Sequence, residues 1–441
     1  MRTEGETIAV AGAGYVGLTS ALCFCEMGHR VRLVEIDPQR LGQLQRGECP
    51  IVEPGLPDLL QRHRGTRLQV TDRLAEAVAD ARVLFVCVGT PSAPSGAPDL
   101  SALRRLLRDL KGLPHPDGMV LVLKSTVPPG TNRMAFWALG GRIPVVSNPE
   151  FLREGTAVHD FFHPDRIVVG SADDKAALLV AGLYRGIDAP LVVTGWEEAE
   201  LIKYAANGFL AIKVSYANEI AALCDALGAD CTDVLRGMGL DHRVGSHFLQ
   251  PGPGFGGSCL PKDTRALVWQ ARRLGVRLDL LPAALQANRR QRLRILEALA
   301  GALGSIEGKQ IAVWGLAFKA GTDDLREAAS LEMIPWLLRQ GAAVRAYDPA
   351  AMEGFARFFP AEQWPGLTLC PDPWSALEGA DALLILTEWE VFRTADPAAI
   401  RRRMAGRVVL DARNLLDPEA AAAAGLQYRG VGRGRKGKGR R

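Results

Sequence analysis

The sequence predicts an α/β protein built from two doubly wound parallel sheets, joined by a long central helix and a small helical domain. Three observations carry that prediction. Short apolar runs alternate with helical segments along the first third of the chain, the alternation that makes a parallel sheet. A strand, a glycine turn and a second strand recur roughly 300 residues later, as expected of one unit used twice. Between the copies lies a run of about thirty residues with no Pro and one Gly, long for a globular helix.

The first unit opens with the apolar run Ile8-Ala-Val-Ala, followed by Gly12-Ala-Gly14-Tyr15-Val16-Gly17, a helical stretch to Met27, and Val31-Arg-Leu-Val-Glu35. This reads as strand, tight turn, helix, strand. Apolar runs at Val83 to Val88, Val120 to Lys124 and Val145 to Val146 extend the sheet. Glu197 to about Leu227 is the long helix, whose exposed apolar positions point to a homodimer or larger homo-oligomer. Ile311-Ala-Val-Trp-Gly315 then repeats Ile8 to Gly12, Gly341-Ala-Ala-Val-Arg345 repeats Gly28 to Arg32, and Ala380-Asp-Ala-Leu repeats Ala79-Asp-Ala-Arg. The expected domains are 1–195, 196–304 and 305–428, with an unstructured basic end over 429–441.

The 441 residues are 48% hydrophobic and 23% charged, which excludes a small binding module and a disordered chain. The net charge of +4 comes from Arg429 to Arg441, seven Lys and Arg without an acid, so the remainder is slightly acidic. Neither a nucleic-acid nor a membrane partner is expected, and Gly12, Gly14 and Gly17 interrupt the uncharged run Ile8 to Cys25, which is otherwise like a membrane core. The eight Cys lack paired spacings, so reduced thiols in a cytoplasm are expected. The seven His offer no metal-ligand spacing; Asp160-Phe-Phe-His163-Pro164 reads as a turn, and no metal is expected.

Gly12-x-Gly14-x-x-Gly17 between a strand and a helix is the context in which glycines admit a pyrophosphate and let helix pack on strand. Glu35 ends the next strand, where a carboxylate accepts hydrogen bonds from both ribose hydroxyls and repels a 2′-phosphate, favouring NAD over NADP. Arg40 nearby would soften that preference. The second copy keeps Gly315 but has Leu316-Ala-Phe318-Lys319 in place of the other glycines, so a lysine charge is expected to meet its phosphate.

Pro251-Gly-Pro-Gly-Phe255-Gly256-Gly-Ser-Cys259-Leu-Pro-Lys262-Asp263 is the most unusual stretch. Its glycines allow close approach to a ligand, and Ser258 to Pro261 has the form of a helix start. A thiol facing the positive pole of a helix, with Lys262 beside it, has a lowered pKa and becomes a better nucleophile. Lys203 and Asn207, four apart on the long helix, share a face and could point together at a reacting oxygen. Asn148-Pro-Glu150-Phe151-Leu152-Arg153-Glu154 brings two carboxylates to the ligand-binding end of the first sheet. The bland alternatives are a solvated helix face for Lys203 and a capping pair, or ion-pair partners of Arg153, for Glu150 and Glu154. Cys23, Cys25, Cys87 and Cys224 are read as small core hydrophobes.

Gly14-Tyr-Val-Gly17-Leu, Lys124-Ser-Thr126-Val-Pro-Pro-Gly130, Pro149 to Glu154, Gly254 to Asp263 and Gly315 to Lys319 together resemble the signatures of the UDP-glucose/GDP-mannose dehydrogenase family, over about Thr7 to Leu426. The resemblance implies a four-electron oxidation of a nucleotide sugar at C6 with two NAD. UDP-glucose is the implied substrate, with GDP-mannose or UDP-N-acetylmannosamine as alternatives. A two-electron NAD dehydrogenase and a nucleotide sensor without chemistry are the other readings. Cys259 would carry a thiohemiacetal and then a thioester. Lys203 and Asn207 would stabilise alkoxide and oxyanion, Asp263 and Thr126 would hold a water, and Glu154 or Glu150 would serve in hydrolysis.

By the same resemblance Gly12, Gly14, Tyr15, Val16, Gly17, Glu35, Arg40, Thr90, Thr126, Glu154, Lys262 and Arg326 would face the cofactor. Glu150, Phe151, Leu152, Arg153, Glu154, Lys203, Asn207, Phe255, Gly256, Cys259, Phe318, Lys319 and Arg413 would face the substrate, and Arg243 would reach a neighbouring subunit's site. Three departures are visible: Glu35 for the commoner Asp, Gly155 for Ser, and Ala412 for Gly in Asp411-Ala-Arg413-Asn.

Overall fold

A computed structural model describes residues 5–434 and separates the chain into two compact units. The first comprises residues 1–206 and 269–275, the second 207–268 and 276–441.

The first unit carries β1 (Thr7–Ala11), β2 (Arg30–Val34), β3 (Leu68–Thr71), β4 (Val83–Val86), β5 (Val120–Leu123), β6 (Val145–Ser147), β7 (Ile167–Ser171) and β8 (Leu191–Thr194). They form one sheet in the order β3-β2-β1-β4-β5-β6-β7-β8. All neighbours are parallel except β6 and β7, and the strand order reverses between β1 and β4, the crevice where doubly wound sheets take ligands. The central strands are fully buried apolar runs because helices cover both faces. Phe24, Phe85, Phe161 and Tyr184 pack together on one side. On the other, Leu84, Leu121 and Leu107 pack with Trp196.

The second unit holds β9 (Gln310–Trp314), β10 (Ala343–Tyr347), β11 (Leu367–Leu369), β12 (Ala382–Ile385), β13 (Val408–Asp411) and β14 (Gln427–Gly430), in the order β11-β10-β9-β12-β13-β14. Its order about β9 copies that of the first sheet about β1. Gly12 and Gly315 occupy equivalent turns, with φ of 100° and 98°. Each amide donates to the last carbonyl of the adjacent strand, Val34 or Tyr347, at 2.8 Å.

The long helix runs Trp196–Leu227 and belongs to the first unit up to Ala206 and to the second from Asn207. The helices Cys231–Gly239 and Leu280–Leu303 contribute side chains to the core of the second sheet.

The segment 160–164 is not simply a turn, because Ala157–Phe162 is helical and His159 stacks near His163. The basic end also departs from expectation. Arg429 and Gly430 pair with β13, and Asn414 exchanges hydrogen bonds with Val431. Gly432 accepts from Cys231, and Arg433 meets Asp230 at 3.1 Å. Composition argued against order here, but backbone pairing and two side-chain caps supply it. Residues 435–441 of that expected segment lie outside the described residues.

Candidate active site

In the first unit the chain leaves β1 through a turn that only glycine permits. A Cβ on Gly12 would stand 2.9 Å from the carbonyl oxygen of Cys87, and one on Gly17 would stand 1.8 Å from that of Gly12. Gly14 differs: no atom lies within 4 Å of where its Cβ would be. It caps the helix Tyr15–Glu26, whose first turn has neither a side-chain acceptor nor an acid. Exposed amides, a positive helix end and open space suit a pyrophosphate.

Glu35, just past β2, is buried and fixed on this loop. Its Oε2 accepts from the Ala13 amide at 3.1 Å and its Oε1 from the Asp37 amide at 2.9 Å, and Arg40 approaches Oε2 at 3.3 Å. Asp348, the equivalent acid after β10, is used differently. It accepts from the amides of Leu316, Ala317, Ala350 and Ala351 and from the Trp389 indole. Asp348 thus takes five donors where Glu35 takes three, two of the three being backbone amides.

Beyond β4 and β5, the Thr90 hydroxyl donates to the Thr126 carbonyl at 2.9 Å, linking the two strand ends. Lys124 is buried and donates to Asn148 and to the Tyr184 oxygen, both at 3.0 Å. This network anchors the segment after β6, where Glu150 is buried. Glu150 accepts from the Leu152 amide at 2.7 Å and meets Lys203 Nζ at 3.1 Å. Phe151 lies under the Arg166 guanidinium at 3.5 Å and has Lys203 Nζ 5.3 Å from its centroid. The solvated-face reading of Lys203 is excluded, since its side chain is 5% exposed. Arg153, expected at the substrate, is committed to Asp160, which takes its backbone amide and a bidentate guanidinium contact. The same contacts hold the Asp160 carboxyl below its usual range against burial. Glu154 is half-buried and helps keep the Tyr15 phenol protonated.

Sequence reasoning missed two acids in this unit. Glu200, on the long helix, accepts from the Gly130 amide at 2.6 Å and from the Asn132 amide and side chain at 2.7 Å. It caps the helix Thr131–Ala138, and burial pushes its carboxyl up to about 7. Glu53 meets Tyr15 and the residue 155–157 backbone. Neither acid sits in a recognisable spacing. Their partners are distant in sequence, so only tertiary contact reveals them.

In the second unit, Cys259 immediately precedes the helix Leu260–Arg273, and its carbonyl accepts from the Asp263 amide at 2.9 Å to close the first turn. The Cys259 sulfur lies 3.5 Å from the Ser258 hydroxyl. Asp263 is fully buried, with Lys262 Nζ 2.6 Å from one oxygen and Asn207 Nδ2 2.6 Å from the other. Burial pushes the thiols of Cys25, Cys87 and Cys231 up to about 12 and raises those of Cys23, Cys49, Cys224 and Cys370.

The glycine loop ahead of Cys259 is held on several sides. Asn288 both accepts from the Phe255 amide and donates to its carbonyl, and Arg292 donates to the carbonyls of Phe255 and Glu327. A Cβ on Gly256 would stand 2.5 Å from the Glu327 oxygen, and one on Gly257 would stand 2.8 Å from the Phe318 ring. Phe318 thus borders the loop carrying Cys259, and Lys319 Nζ lies 5.5 Å from that ring's centroid. Arg413 bridges the carbonyls of Leu386 and Phe318 and pairs with Glu388 at 3.0 Å. Arg326 pairs with Asp324, and its carbonyl accepts from Gly257. Arg243 is exposed, pairing with Asp241.

Among the described residues, no group of three or more His, Cys, Asp and Glu is arranged for a metal ion, and no helix is long and apolar enough to cross a membrane.

Comparison with known proteins gives a consistent result. Family models of the UDP-glucose/GDP-mannose dehydrogenase family match residues 6–188 (NAD binding domain), 197–290 (central domain) and 312–418 (UDP binding domain). A UDP-glucose 6-dehydrogenase of Pseudomonas aeruginosa is 46% identical over 98% of each chain. The UDP-glucose 6-dehydrogenase TuaD of Bacillus subtilis is 42% identical over 97% of this chain and 93% of that one. The solved structure of a UDP-glucose dehydrogenase from Pyrobaculum islandicum superposes with a TM-score of 0.89 at 37% identity, covering 98% of this chain and 99% of that one.

Proposed function

The chain belongs to the UDP-glucose/GDP-mannose dehydrogenase family of NAD-dependent nucleotide-sugar dehydrogenases, and from that membership we propose that it oxidises UDP-glucose at C6 to UDP-glucuronate, with Cys259 as the covalent nucleophile. The observation that carries this reading is the placement of Cys259 at a helix start, in the same unit as the buried Asp263, Lys262 and Asn207 cluster.

The fit to NAD rests on the Gly14 opening and the fixed Glu35 carboxylate. NAD, when bound, supplies a hydride acceptor in each of two oxidations. Gly12, Gly14, Tyr15, Val16 and Gly17 would hold its pyrophosphate. Glu35 would take the ribose hydroxyls, and Thr90, Thr126, Glu154, Lys262 and Arg326 the remainder. Arg40 is drawn to Glu35 and shields part of its charge.

In the first oxidation the C6 hydroxyl gives up its proton and a hydride. Lys203 and Asn207 donate to the developing alkoxide, an electrostatic role that a charged lysine can fill. The Cys259 thiolate then adds to the aldehyde carbon, and the carbonyl electron pair becomes the alkoxide of a tetrahedral thiohemiacetal, whose collapse to C=O expels the second hydride. Loss of the second hydride from that carbon leaves the thioester. Water, activated through Asp263 and Thr126 or through Glu154, attacks the acyl carbon, and the carbon–sulfur bond breaks to release carboxylate and thiolate. Glu150, hydrogen-bonded to Lys203, would hold that ammonium in place.

For the sugar and its nucleotide we assign Phe151, Leu152, Phe255, Gly256, Phe318, Lys319 and Arg413, with Arg153 serving the loop through Asp160. Arg243, exposed on its turn, is assigned to a partner copy's site, in a homodimer. The exposed Phe209, Tyr216, Leu223 and Leu227 on the long helix support that assembly. We place the enzyme in the cytoplasm, which suits its reduced thiols.

The test is turnover compared across UDP-glucose, GDP-mannose and UDP-N-acetylmannosamine. UDP-glucose is expected to give the highest kcat/KM; a clear preference for another sugar would reassign the substrate while leaving the family intact.

A further inference from the structure

Three distant segments of the first unit meet at one buried carboxylate outside the machinery described above. Glu53 lies ahead of the helix Leu56–His63 and is 4% exposed. Its Oε2 accepts from the Tyr15 phenol and, at 2.6 Å, from the Gly155 amide; its Oε1 accepts from the Ala157 amide at 2.7 Å. The Tyr15 oxygen also accepts from the Gly155 amide at 3.0 Å and lies 3.2 Å from the Arg153 carbonyl. Gly155 has a φ of 85°, a left-handed conformation favouring glycine, and its amide is shared between Glu53 and Tyr15.

Tyr15 is the first residue of the helix that opens the glycine loop, and Gly155 directly follows Glu154. We propose that Glu53 is a positioning residue that clasps Tyr15 to the Arg153–Ala157 backbone, so that the cofactor loop and the sugar loop keep one fixed register. The proposal rests on the reading of those loops as cofactor and sugar sites given above.

The physical case is that hydrogen bonds to a carboxylate are the strong ones, and that the accepting carboxylate is itself buried. Burial, Glu53 and Glu154 all favour the protonated phenol, so Tyr15 remains a donor. Replacing Glu53 by Gln keeps the volume but puts an amide N–H₂ where an acceptor stood. At least one of the Gly155 and Ala157 amides then faces a donor, and the loop must move. Catalytic geometry is sensitive to such shifts: a displacement of about 1 Å can cost up to roughly a hundredfold in rate.

The experiment uses the full-length protein with Glu53→Gln, Tyr15→Phe and the double variant. Thermal unfolding identifies the variants that fold, and Tyr15→Phe, which loses only a hydroxyl, guards against collapse of Glu53→Gln. Hydrogen exchange of the 151–158 segment is followed with and without NADH, alongside KM for NAD and for UDP-glucose. Both single variants are expected to speed exchange at Gly155 and Ala157 and to raise both KM values. In the wild type NADH should slow exchange across 151–158, and in Glu53→Gln that response should vanish. The double variant should be little worse than Glu53→Gln alone, because both remove the same clasp. Unchanged exchange with unchanged KM values in both single variants would overturn the proposal, as would a lowered melting temperature alone. If UDP-glucose is not turned over at all, the functional reading falls, while the exchange result still decides the clasp.

Discussion

Asn207 donates to Asp263 at 2.6 Å, and Lys262 reaches the other oxygen of the same carboxylate at 2.6 Å. A fully buried acid is thereby satisfied on both sides, one turn along the helix from Cys259. Removing it strands an amide and an ammonium. Asp263→Ala is expected to lower the urea-unfolding free energy by about 3 kcal/mol and kcat by roughly a hundredfold or more. A variant with wild-type kcat would remove Asp263 from the chemistry.

Burial raises the thiols of Cys23, Cys25, Cys49, Cys87, Cys224, Cys231 and Cys370, whereas Cys259 is part-exposed and directly precedes a helix in a loop built of glycines. Iodoacetamide at neutral pH is therefore expected to alkylate Cys259 ahead of the others, read by mass spectrometry, with activity lost in step. Labelling spread evenly over the cysteines would argue against an activated thiol.

Glu35 holds Arg40 at 3.3 Å and, as the proposed ribose acceptor, would repel a 2′-phosphate. Glu35→Asn removes the repulsion and releases the guanidinium. KM for NAD should rise roughly tenfold and NADP should become a usable cofactor. If NAD preference is unchanged in steady-state kinetics, the ribose assignment is wrong.

Glu200 has a folded-state pKa of about 7 against an ordinary value of 4.5. A raised carboxyl binds its proton more tightly in the folded than in the unfolded state. Its contribution is therefore complete below pH 4.5 and is lost as pH rises to 7, by an amount on the order of 3 kcal/mol. Relative to Glu200→Gln, the wild type should lose stability across that window in urea titrations. A parallel pair of pH profiles would contradict the assignment.

Much of this molecule is legible in its residues. The Gly12 and Gly315 turns, the acids at Glu35 and Asp348 and the long helix follow from local chemistry and periodicity, which need no tertiary information. What escaped depends on distant contacts. β7 and β8 lie beyond the single antiparallel step, between β6 and β7, and β8 is a four-residue edge strand with Leu191 and Val193 half-exposed, too short for a periodic signal. Asp348 stands where Glu35 does, yet it also binds the Trp389 indole and four backbone amides, contacts that come from tertiary folding. Arg429 to Gly434 read as a solvated tail until Asn414, Asp225 and Asp230 are seen to bind it. The guanidinium of Arg153 finds Asp160 seven residues on because the intervening turn is helical, a contact no motif announces.

The central claim is that one sulfur carries the sugar through two successive oxidations, and NADH released per UDP-glucose consumed measures it directly. The wild type should form two NADH with UDP-glucuronate as product, and Cys259→Ser should lose the second oxidation. One NADH and free aldehyde from the wild type, or an unimpaired Cys259→Ser, would contradict it.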